Sequence, residues 1–504
     1  MDTQFRYGFD HLTVDKALKL IRGQLKGVLI DEVISKIQKS YNAVQKIANG
    51  EKLVYSINTG FGSLCTTKIS KEQTGILQEN LLKSHSAGVG DPISKEIAKL
   101  MLILKVHTLS RGYSGVSLDL IERICWHIDN DYISFVPEQG SVGASGDLAP
   151  LAHLFLPIIG LGYLSKDGIN YKPTIEILNQ NNLKPLKLQA KEGVALINGT
   201  QFITAYATIV SDLFLKCLDH ADIIGALSLE AYLGSPQPFD DRLVKLRPHQ
   251  GAIKVAENFR KFLEDSEFVE SHKECGRVQD PYSIRCIPQV HGASRDALTH
   301  LNEKLECELN SVTDNPIIFS ENDTKSGGNF HGQPLALPLD YISFAASEIG
   351  NISDRRIYLL LDGKWDLPPY LIRDTGLNSG FMIAQYTTAA LVSENKSLCY
   401  PASADSIPTS RGQEDHVSMG SISARKALKI LENLEKILSI ELLCATQAFE
   451  FRRPLKSSKV LEACYELIRE NVPFITEDTI LSKHIQLALE LIKSNKLLEI
   501  VNDY

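Results

Sequence analysis

The segment GSVGASGDLAPLAHL (140–154) holds residues whose types and spacing could support an unusual chemistry. Ser145 lies between Ala144 and Gly146, and two further glycines precede it, so the backbone can turn sharply here. In such a turn the Gly146 amide nitrogen can approach the Ala144 carbonyl carbon. Attack there with loss of water closes a five-membered ring, and a second dehydration at Ser145 leaves an exocyclic methylidene. The product is an electrophile, which the twenty standard side chains do not supply.

The same segment admits two simpler interpretations. A glycine-rich turn often precedes a helix, and Asp147 or Ser145 would then be the N-cap of a helix that begins at Leu148. Backbone N–H groups at such a helix start can also bind an anion. The tripeptide alone does not choose among ring formation, capping and anion binding, so the rest of the sequence must decide.

The sequence around the tripeptide resembles the histidine ammonia-lyase family, a branch of the aromatic amino acid ammonia-lyases and aminomutases. In that family the 140–154 stretch carries a self-formed methylidene-imidazolone (MIO) group. The resemblance therefore implies that Ala144, Ser145 and Gly146 form MIO autocatalytically and that no metal is required. It covers almost the whole chain through nine motifs, which in chain order are YSINTGFGSL (55–64), LQENLLKSHSAGVGDP (77–92), GSVGASGDLAPLAHL (140–154), LINGTQ (196–201), QDPYSIRCIPQVHGA (279–293), SVTDNPIIF (311–319), GGNFHGQP (327–334), LNSGFMIAQ (377–385) and PASADSIPTSRGQEDHVSMG (401–420).

The reaction that the resemblance implies needs an electrophile to capture the amine and a base to remove a weakly acidic Cβ proton. Tyr55 matches the family's catalytic tyrosine, and the glycines in 58–62 suit a lid that closes over the substrate. Arg285 matches the residue that holds the substrate carboxylate, a task suited to a planar guanidinium. Without the resemblance, Tyr55 would be a packed tyrosine at a loop edge and Arg285 one of many surface arginines.

Five more residues match positions at the family's active site. Asn198, Gln279 and Tyr282 match residues that bind the carboxylate, the amine or the oxygen of the electrophile, and we count Tyr282 among the catalytic residues. Phe330 matches a residue that packs beside the MIO ring, and Asp147 matches an acid that supports cyclisation. By sequence alone, Asn198 and Gln279 could equally be helix-end caps and Phe330 a core residue.

His85 and Glu414 bear on the substrate, because an imidazole ring needs a hydrogen-bonding or charged partner where a phenyl ring needs only apolar walls. His85 occupies the position where histidine-specific members carry histidine. Glu414 supplies a carboxylate at a position where phenylalanine and tyrosine lyases carry an amide side chain. This carboxylate can hold the imidazole ring or move protons. The resemblance thus implies elimination of ammonia from L-histidine to give trans-urocanate, the first step of histidine degradation.

Four departures from the family pattern lie near these motifs. Ile287 stands where bacterial histidine lyases often have glutamine, Ser56 stands where many members have glycine, and Tyr400 precedes Pro401 where histidine is common. Arg411 and Gly412 replace the usual alanine and asparagine before Gln413, and Arg411 adds a cation close to the expected pocket wall. Of the four, the Arg411 change is the most able to alter substrate preference or assembly contacts.

Two other functions remain open at this point. The chain could be a tyrosine or phenylalanine ammonia-lyase, or an aminomutase, that uses the same MIO electrophile. It could instead be a catalytically inactive structural protein on the same helical scaffold. The presence of every matching site residue argues against the inactive protein, because such a protein would tolerate their loss.

The elements that must position these residues are mainly α-helical. Apolar residues recur at helical spacing from Leu298 to Val312 and from Ala427 to Phe449, while 202–233 is apolar nearly all round. We therefore predict a mainly α fold with an N-terminal MIO-bearing domain (1–200) and a long-helix bundle with C-terminal helices (201–504). The resemblance implies an aspartase/fumarase-like architecture and a homotetramer with shared active sites.

Composition restricts the partners and the compartment. The 504 residues carry a net charge of −8 without a basic patch, which argues against nucleic-acid binding. The nine cysteines are scattered, never as Cys-x-x-Cys, as expected in a reducing compartment. The start of the chain has no signal-like apolar region, and no stretch predicts a membrane span. We expect a cytoplasmic protein, and the resemblance implies a small-molecule amino-acid substrate.

Overall fold

The computed structural model describes residues 3–50, 54, 57, 59 and 71–504, with the side chains of 71 and 72 left out. Tyr55 and Ser56, together with most of the 55–64 motif, lie outside the described residues. Within the described residues helices dominate, which confirms the predicted mainly α fold. The helices are Val14–Ile21 (α1), Asp31–Ala48 (α2), Lys71–His85 (α3), Lys95–Leu109 (α4), Leu118–Asp129 (α5), Leu148–Phe155 (α6), Thr174–Gln180 (α7), Glu192–Ile197 (α8), Gln201–Ala231 (α9), Asp241–Lys245 (α10), Gln250–Phe262 (α11), Glu267–Ser271 (α12), Tyr282–Arg285 (α13), Ile287–Leu309 (α14), Gln333–Leu361 (α15), Met382–Leu398 (α16), Gly420–Glu450 (α17), Lys459–Asn471 (α18), Leu481–Lys493 (α19) and Lys496–Asp503 (α20).

The described strands are short and form small sheets of two or three strands. One pair is parallel and the others are antiparallel. The pairs are Gln4–Arg6 (β1) with Lys26–Val28 (β2), Val89–Pro92 (β3) with Pro137–Gln139 (β5), Ile133–Ser134 (β4) with Tyr163–Ser165 (β6), β6 with Lys172–Pro173 (β7), and Ile317–Ser320 (β8) with Asp323–Lys325 (β9).

The long helices follow the predicted apolar stripes. In α17 every stripe residue from Ala427 to Phe449 is fully buried, and the helix ends before Pro454 as expected. In α14 the stripe is buried up to Leu309, where the helix ends, so Val312 lies beyond it. Helix α9 coincides with the apolar segment 202–233. Among the described residues it is the one helix long and apolar enough to cross a membrane, and 72% of its most apolar window is buried inside the protein.

Contacts divide the chain into two compact units. The first unit comprises 1–209, 302–339 and 401–425, and the second comprises 210–301, 340–400 and 426–504. In the first unit, α4 is buried from Leu100 to Leu109, and α3 packs against α6 and α8. The division of the chain at residue 200 stays a prediction.

A fully buried network of charged and hydroxyl groups lies within the second unit. The Glu441 carboxylate accepts hydrogen bonds from Arg356 Nε at 2.5 Å and Arg356 Nη2 at 2.9 Å. Ser228 and Ser353 also donate to it, at 2.7 and 2.5 Å. Arg356 Nη1 lies 3.3 Å from His291 Nε2. Helices α9, α14, α15 and α17 are therefore joined by one polar network in an otherwise apolar interior.

We expect Glu441→Ala to destabilise the protein by about 3–5 kcal/mol, because it leaves the buried Arg356 guanidinium without its counter-ion. Urea-induced unfolding followed by circular dichroism measures the change. Glu32→Ala is the matched control, since Glu32 forms an exposed pair with Lys36 at 2.7 Å. An exposed pair of this kind contributes less than about 1 kcal/mol. Equal losses in the two variants would contradict a stabilising role for the buried network.

Candidate active site

The backbone of the loop 140–147 adopts conformations that require glycine or small residues. Gly140, Gly143 and Gly146 have φ values of 129°, 85° and 85°, and Ser145 has a φ of 49°. Ser145 therefore lies in the left-handed region that non-glycine residues seldom occupy. A Cβ atom at Gly146 would lie 2.2 Å from the Gly199 carbonyl oxygen. The sequence GASG thus folds into a tight, strained turn.

Gly199 holds this turn through two main-chain hydrogen bonds. Its N–H donates to the Ser145 carbonyl oxygen at 3.2 Å, and its own carbonyl accepts from the Asp147 N–H at 2.9 Å. Gly199 has a φ of 119°, and a Cβ there would lie 2.6 Å from Gln201 Oε1. Sequence reasoning missed this residue, although its place beside Asn198 in LINGTQ was a signal. The segment after α8 therefore supports one side of the turn.

The other side of the turn packs against the segment before α17. Ala144 is buried in an apolar cluster with Val417 and Met419. Met419 N–H donates to the Val142 carbonyl at 3.0 Å. A Cβ at Gly143 would lie 2.2 Å from Ser418 Oγ. The turn is thus fixed on both sides within the first unit.

Asp147 caps a distant helix rather than its own. It occupies the N-cap position of α6, but its side chain makes no hydrogen bond to that helix. Its Oδ2 accepts instead from the N–H groups of Phe202 and Ile203, both at 3.0 Å, in the first turn of α9. Burial raises the pKa of Asp147 to about 7, against the opposing effect of these N–H groups and Lys105. The simple capping of α6 considered from sequence is therefore wrong, and the carboxyl joins the turn to α9.

His85 and Glu414 come within electrostatic range of each other. His85 ends α3, and partial burial lowers its pKa while the Glu414 carboxylate acts in the opposite direction. Glu414 is half-buried and accepts a hydrogen bond from Thr409 Oγ1 at 2.9 Å. A neutral imidazole and a carboxylate therefore lie in the same region of the first unit.

His153 on α6 forms a hydrogen bond with Gly88, three residues after His85. Its Nε2 accepts the Gly88 N–H at 3.0 Å, and partial burial lowers the pKa of His153, which favours the neutral acceptor. A Cβ at Gly140 would lie 3.0 Å from Gly88 Cα. Sequence reasoning did not single out His153, because the partner of its ring lies 65 residues away.

Asn198 and Phe330 also lie in the first unit. Asn198 is buried, and its Nδ2 donates to the Asn315 carbonyl at 2.9 Å. Phe330 is half-buried and not a core residue. It lies two residues before Gly332, where a Cβ would lie 2.9 Å from Ser418 Oγ.

Gln279, Tyr282 and Arg285 lie together in the second unit. The Arg285 guanidinium stacks over the Tyr282 ring at 4.6 Å from its centroid, and 70% of Tyr282 is exposed. Arg285 and Gln279 line a cavity of about 940 Å³. Within the described part of the chain, Arg285 Nε has no hydrogen-bond partner. Because the Arg285 guanidinium lines this cavity, it is suited to bind an anion such as a carboxylate there.

Ile287 and Arg411, two of the residues that depart from the family pattern, are described by the structure. Ile287 is fully buried at the start of α14, so it is a core residue. Arg411 is exposed in a short 3₁₀ turn with a φ of 57°, between Thr409 and Glu414. Ser56 lies outside the described residues.

A helical fold with a tight Ala-Ser-Gly turn, and with His85 and Glu414 in the same unit, agrees with the family expected from the motifs. The family model for aromatic amino acid lyases matches residues 12–470, so the chain belongs to the aromatic amino acid lyase family. The histidine ammonia-lyase of Natranaerobius thermophilus is 49% identical over 461 residues, which are 91% of this chain and 90% of the relative.

Solved structures of the family have the same fold. The histidine ammonia-lyase of Trypanosoma cruzi superposes with a TM-score of 0.91 at 39% identity, covering 99% of this chain and 95% of that one. The tyrosine aminomutase of Streptomyces globisporus gives a TM-score of 0.93 at 35% identity, covering 99% and 98%. The fold is therefore shared by lyases and aminomutases, and only the site can distinguish them.

Asp147→Asn tests the burial of this carboxyl, because the amide keeps an acceptor oxygen for α9 but cannot ionise. In the wild type the pKa of about 7 in the folded state exceeds that of the unfolded chain, so wild-type stability falls as pH rises between them. We expect thermal unfolding to show that the variant gains a few kcal/mol relative to wild type between about pH 4.5 and about pH 7.5.

Asp131→Asn is the control for this pH dependence. Partial burial opposes the effect, but hydrogen bonds from Lys95 and Lys99 lower the pKa of Asp131. Its carboxylate is therefore ionised throughout the same pH range, and the stability difference from wild type stays constant. A constant difference for Asp147→Asn as well would contradict the raised pKa.

Proposed function

We propose that this protein is a histidine ammonia-lyase that converts L-histidine into trans-urocanate and ammonia. The observation that carries the proposal is that His85 and Glu414 lie in the unit that holds the Ala144–Gly146 turn, where the Glu414 carboxylate acts to raise the pKa of His85. An imidazole substrate can be recognised by a neutral ring and a carboxylate, whereas a phenyl ring gains nothing from either.

The turn fits the formation of MIO. Ring closure joins Gly146 N to the Ala144 carbonyl carbon, and the carbonyl oxygen leaves as water with the N–H hydrogens of Gly146 and Ser145. A second water takes Ser145 Oγ and its hydrogen together with the Cα hydrogen, so no oxidant is needed. The small flanking residues, the left-handed Ser145 and the close approach to Gly199 support this closure. Once formed, the group supplies the electrophile that binds the substrate amine.

The remaining residues bind the substrate and move its proton. Arg285 holds the substrate carboxylate, with Gln279 and Tyr282 beside it. Asn198 lies next to Gly199 and would bind the oxygen of the electrophile. Tyr55 removes the Cβ proton, and Phe330 would pack beside the MIO ring, as the resemblance implies. Glu414 holds the imidazole ring opposite His85.

We further propose a homotetramer in which different subunits contribute to each active site. The ring-forming turn and His85 belong to the first unit, whereas Gln279, Tyr282 and Arg285 belong to the second. Large side chains on α15 and α16 are exposed, as expected of surfaces that pack on other subunits. They are Tyr341, Phe344, Tyr358, Ile383 and Tyr386. A cytoplasmic location is part of the same proposal.

Because the chain is similar to a tyrosine aminomutase, aminomutase activity is a second candidate function of the same site. The purified protein is incubated separately with histidine, tyrosine and phenylalanine, and ammonia release and product isomers are measured. Release from tyrosine but not from histidine would contradict the proposed substrate. A β-amino acid product would identify an aminomutase.

We expect the mature wild-type chain to be lighter than its sequence by two water molecules in intact-mass spectrometry. Ser145→Ala removes the hydroxyl that leaves as the second water, so this variant does not lose two waters. Its ammonia release falls at least about a thousandfold, as expected on loss of a covalent catalyst.

Ser141→Ala is the control within the same loop and keeps the two-water loss, because Ser141 takes no part in ring closure. A wild-type chain of full mass would contradict the mechanism and favour an inactive structural protein.

Glu414→Gln tests how the imidazole is recognised. The amide oxygen can still accept from Thr409, but the charge and the proton-transfer capacity are lost. We expect kcat with histidine to fall about a hundredfold or more, the usual scale of a general acid or base, with an unchanged melting temperature. Glu432→Gln, an exposed change on α17, is the control and keeps wild-type kcat. Equal kcat in the two variants would contradict the role of Glu414.

A further inference from the structure

Lys105 is a buried cation that the proposed reaction does not use. It lies on α4 and only 1% of it is exposed. Its Nζ donates to the Asn198 carbonyl at 2.6 Å and to the Ala195 carbonyl at 3.2 Å. Both acceptors are main-chain groups at the end of α8. The ammonium therefore binds the backbone that precedes Gly199.

Retaining a charge at this position is costly. Taking an ammonium out of water costs several kcal/mol unless its partners compensate. Burial lowers the pKa of Lys105 to about 7, although the Asp314 and Asp147 carboxylates oppose this effect. A methionine of similar volume would avoid the cost. The role of Lys105 must therefore come from the carbonyl groups to which it donates.

One of these groups belongs to the peptide that holds the ring-forming turn. The peptide between Asn198 and Gly199 accepts from Lys105 through its carbonyl and donates through its N–H to the Ser145 carbonyl. A cation at the carbonyl end polarises the peptide and strengthens its N–H as a donor. Lys105, this peptide and Ser145 thus form one continuous chain of hydrogen bonds.

The position of the Ser145 carbonyl bears directly on ring closure. This carbonyl and the Gly146 nitrogen belong to the same planar peptide. Fixing the oxygen therefore restricts where the nitrogen points, and this nitrogen must reach the Ala144 carbonyl carbon.

We propose that Lys105 is a positioning residue for ring closure, acting through the Asn198–Gly199 peptide on the Ser145–Gly146 peptide. This role rests on the proposed formation of MIO. It concerns the maturation of the chain and not the later elimination step.

Lys105→Met and Lys105→Gln test this role in the full-length protein. Freshly purified protein is incubated, and intact mass is recorded over time to give the rate at which two waters are lost. We expect Lys105→Met to slow this loss about 10- to 100-fold, the effect of one hydrogen bond to a charged group. Lys105→Gln keeps an uncharged donor and gives an intermediate rate.

Lys191→Met is the matched control. Lys191 is also fully buried in the first unit, but it pairs with the Asp314 carboxylate. We expect a lower melting temperature and an unchanged rate of water loss in this variant. The kcat of each Lys105 variant, divided by its fraction of cyclised chains, should equal the wild-type value, since Lys105 acts before catalysis.

The outcomes separate the two proposals. A wild-type chain that never loses two waters contradicts the proposed function itself. A wild-type chain that matures, with soluble Lys105 variants that mature equally fast, contradicts only the role of Lys105. If Lys105→Met is insoluble, the rate for Lys105→Gln decides, and a rate equal to wild type overturns the proposal.

Discussion

The contact between Gly199 and the 144–147 turn is the constraint on which the rest of the site depends. Two main-chain hydrogen bonds and the absence of side chains at Gly146 and Gly199 bring the two segments together. Because both segments lack room for a Cβ, neither can be exchanged for an ordinary loop. The packing of Ala144 against Val417 and Met419 closes the opposite side. The turn is thus held by backbone geometry, with side chains acting around it.

The helices of this fold were predictable because their periodicity is local. The α17 stripe from Ala427 to Phe449 is readable from neighbouring residues and is buried as expected. The family was predictable as well, since long motifs carry it. The roles of His85 and Glu414 came from the motifs as well and stay predictions, although the two residues lie in the same unit.

Other parts of the site depend on contacts between distant residues, which the sequence does not display. Asp147 looks like the cap of the helix that follows it, but its acceptor oxygen faces α9, 55 and 56 residues away. Lys105 lies in an apolar helix, and its acceptors lie 90 and 93 residues away. Neither role has a local signature. Of the departures from the family pattern, Ile287 is a core residue and Arg411 is exposed. The sequence could not distinguish the two, because burial depends on the three-dimensional structure.

The capping of α9 by Asp147 also has a consequence for the order of events during biosynthesis. The carboxyl can take up its place only when the first turn of α9 exists, and α9 extends through 31 residues of the interior. If the turn cyclises as proposed, a nascent or misfolded chain carries only an inert Ala-Ser-Gly. The reactive electrophile would then arise only inside a completed core, where the thiols and amines of other proteins do not reach it.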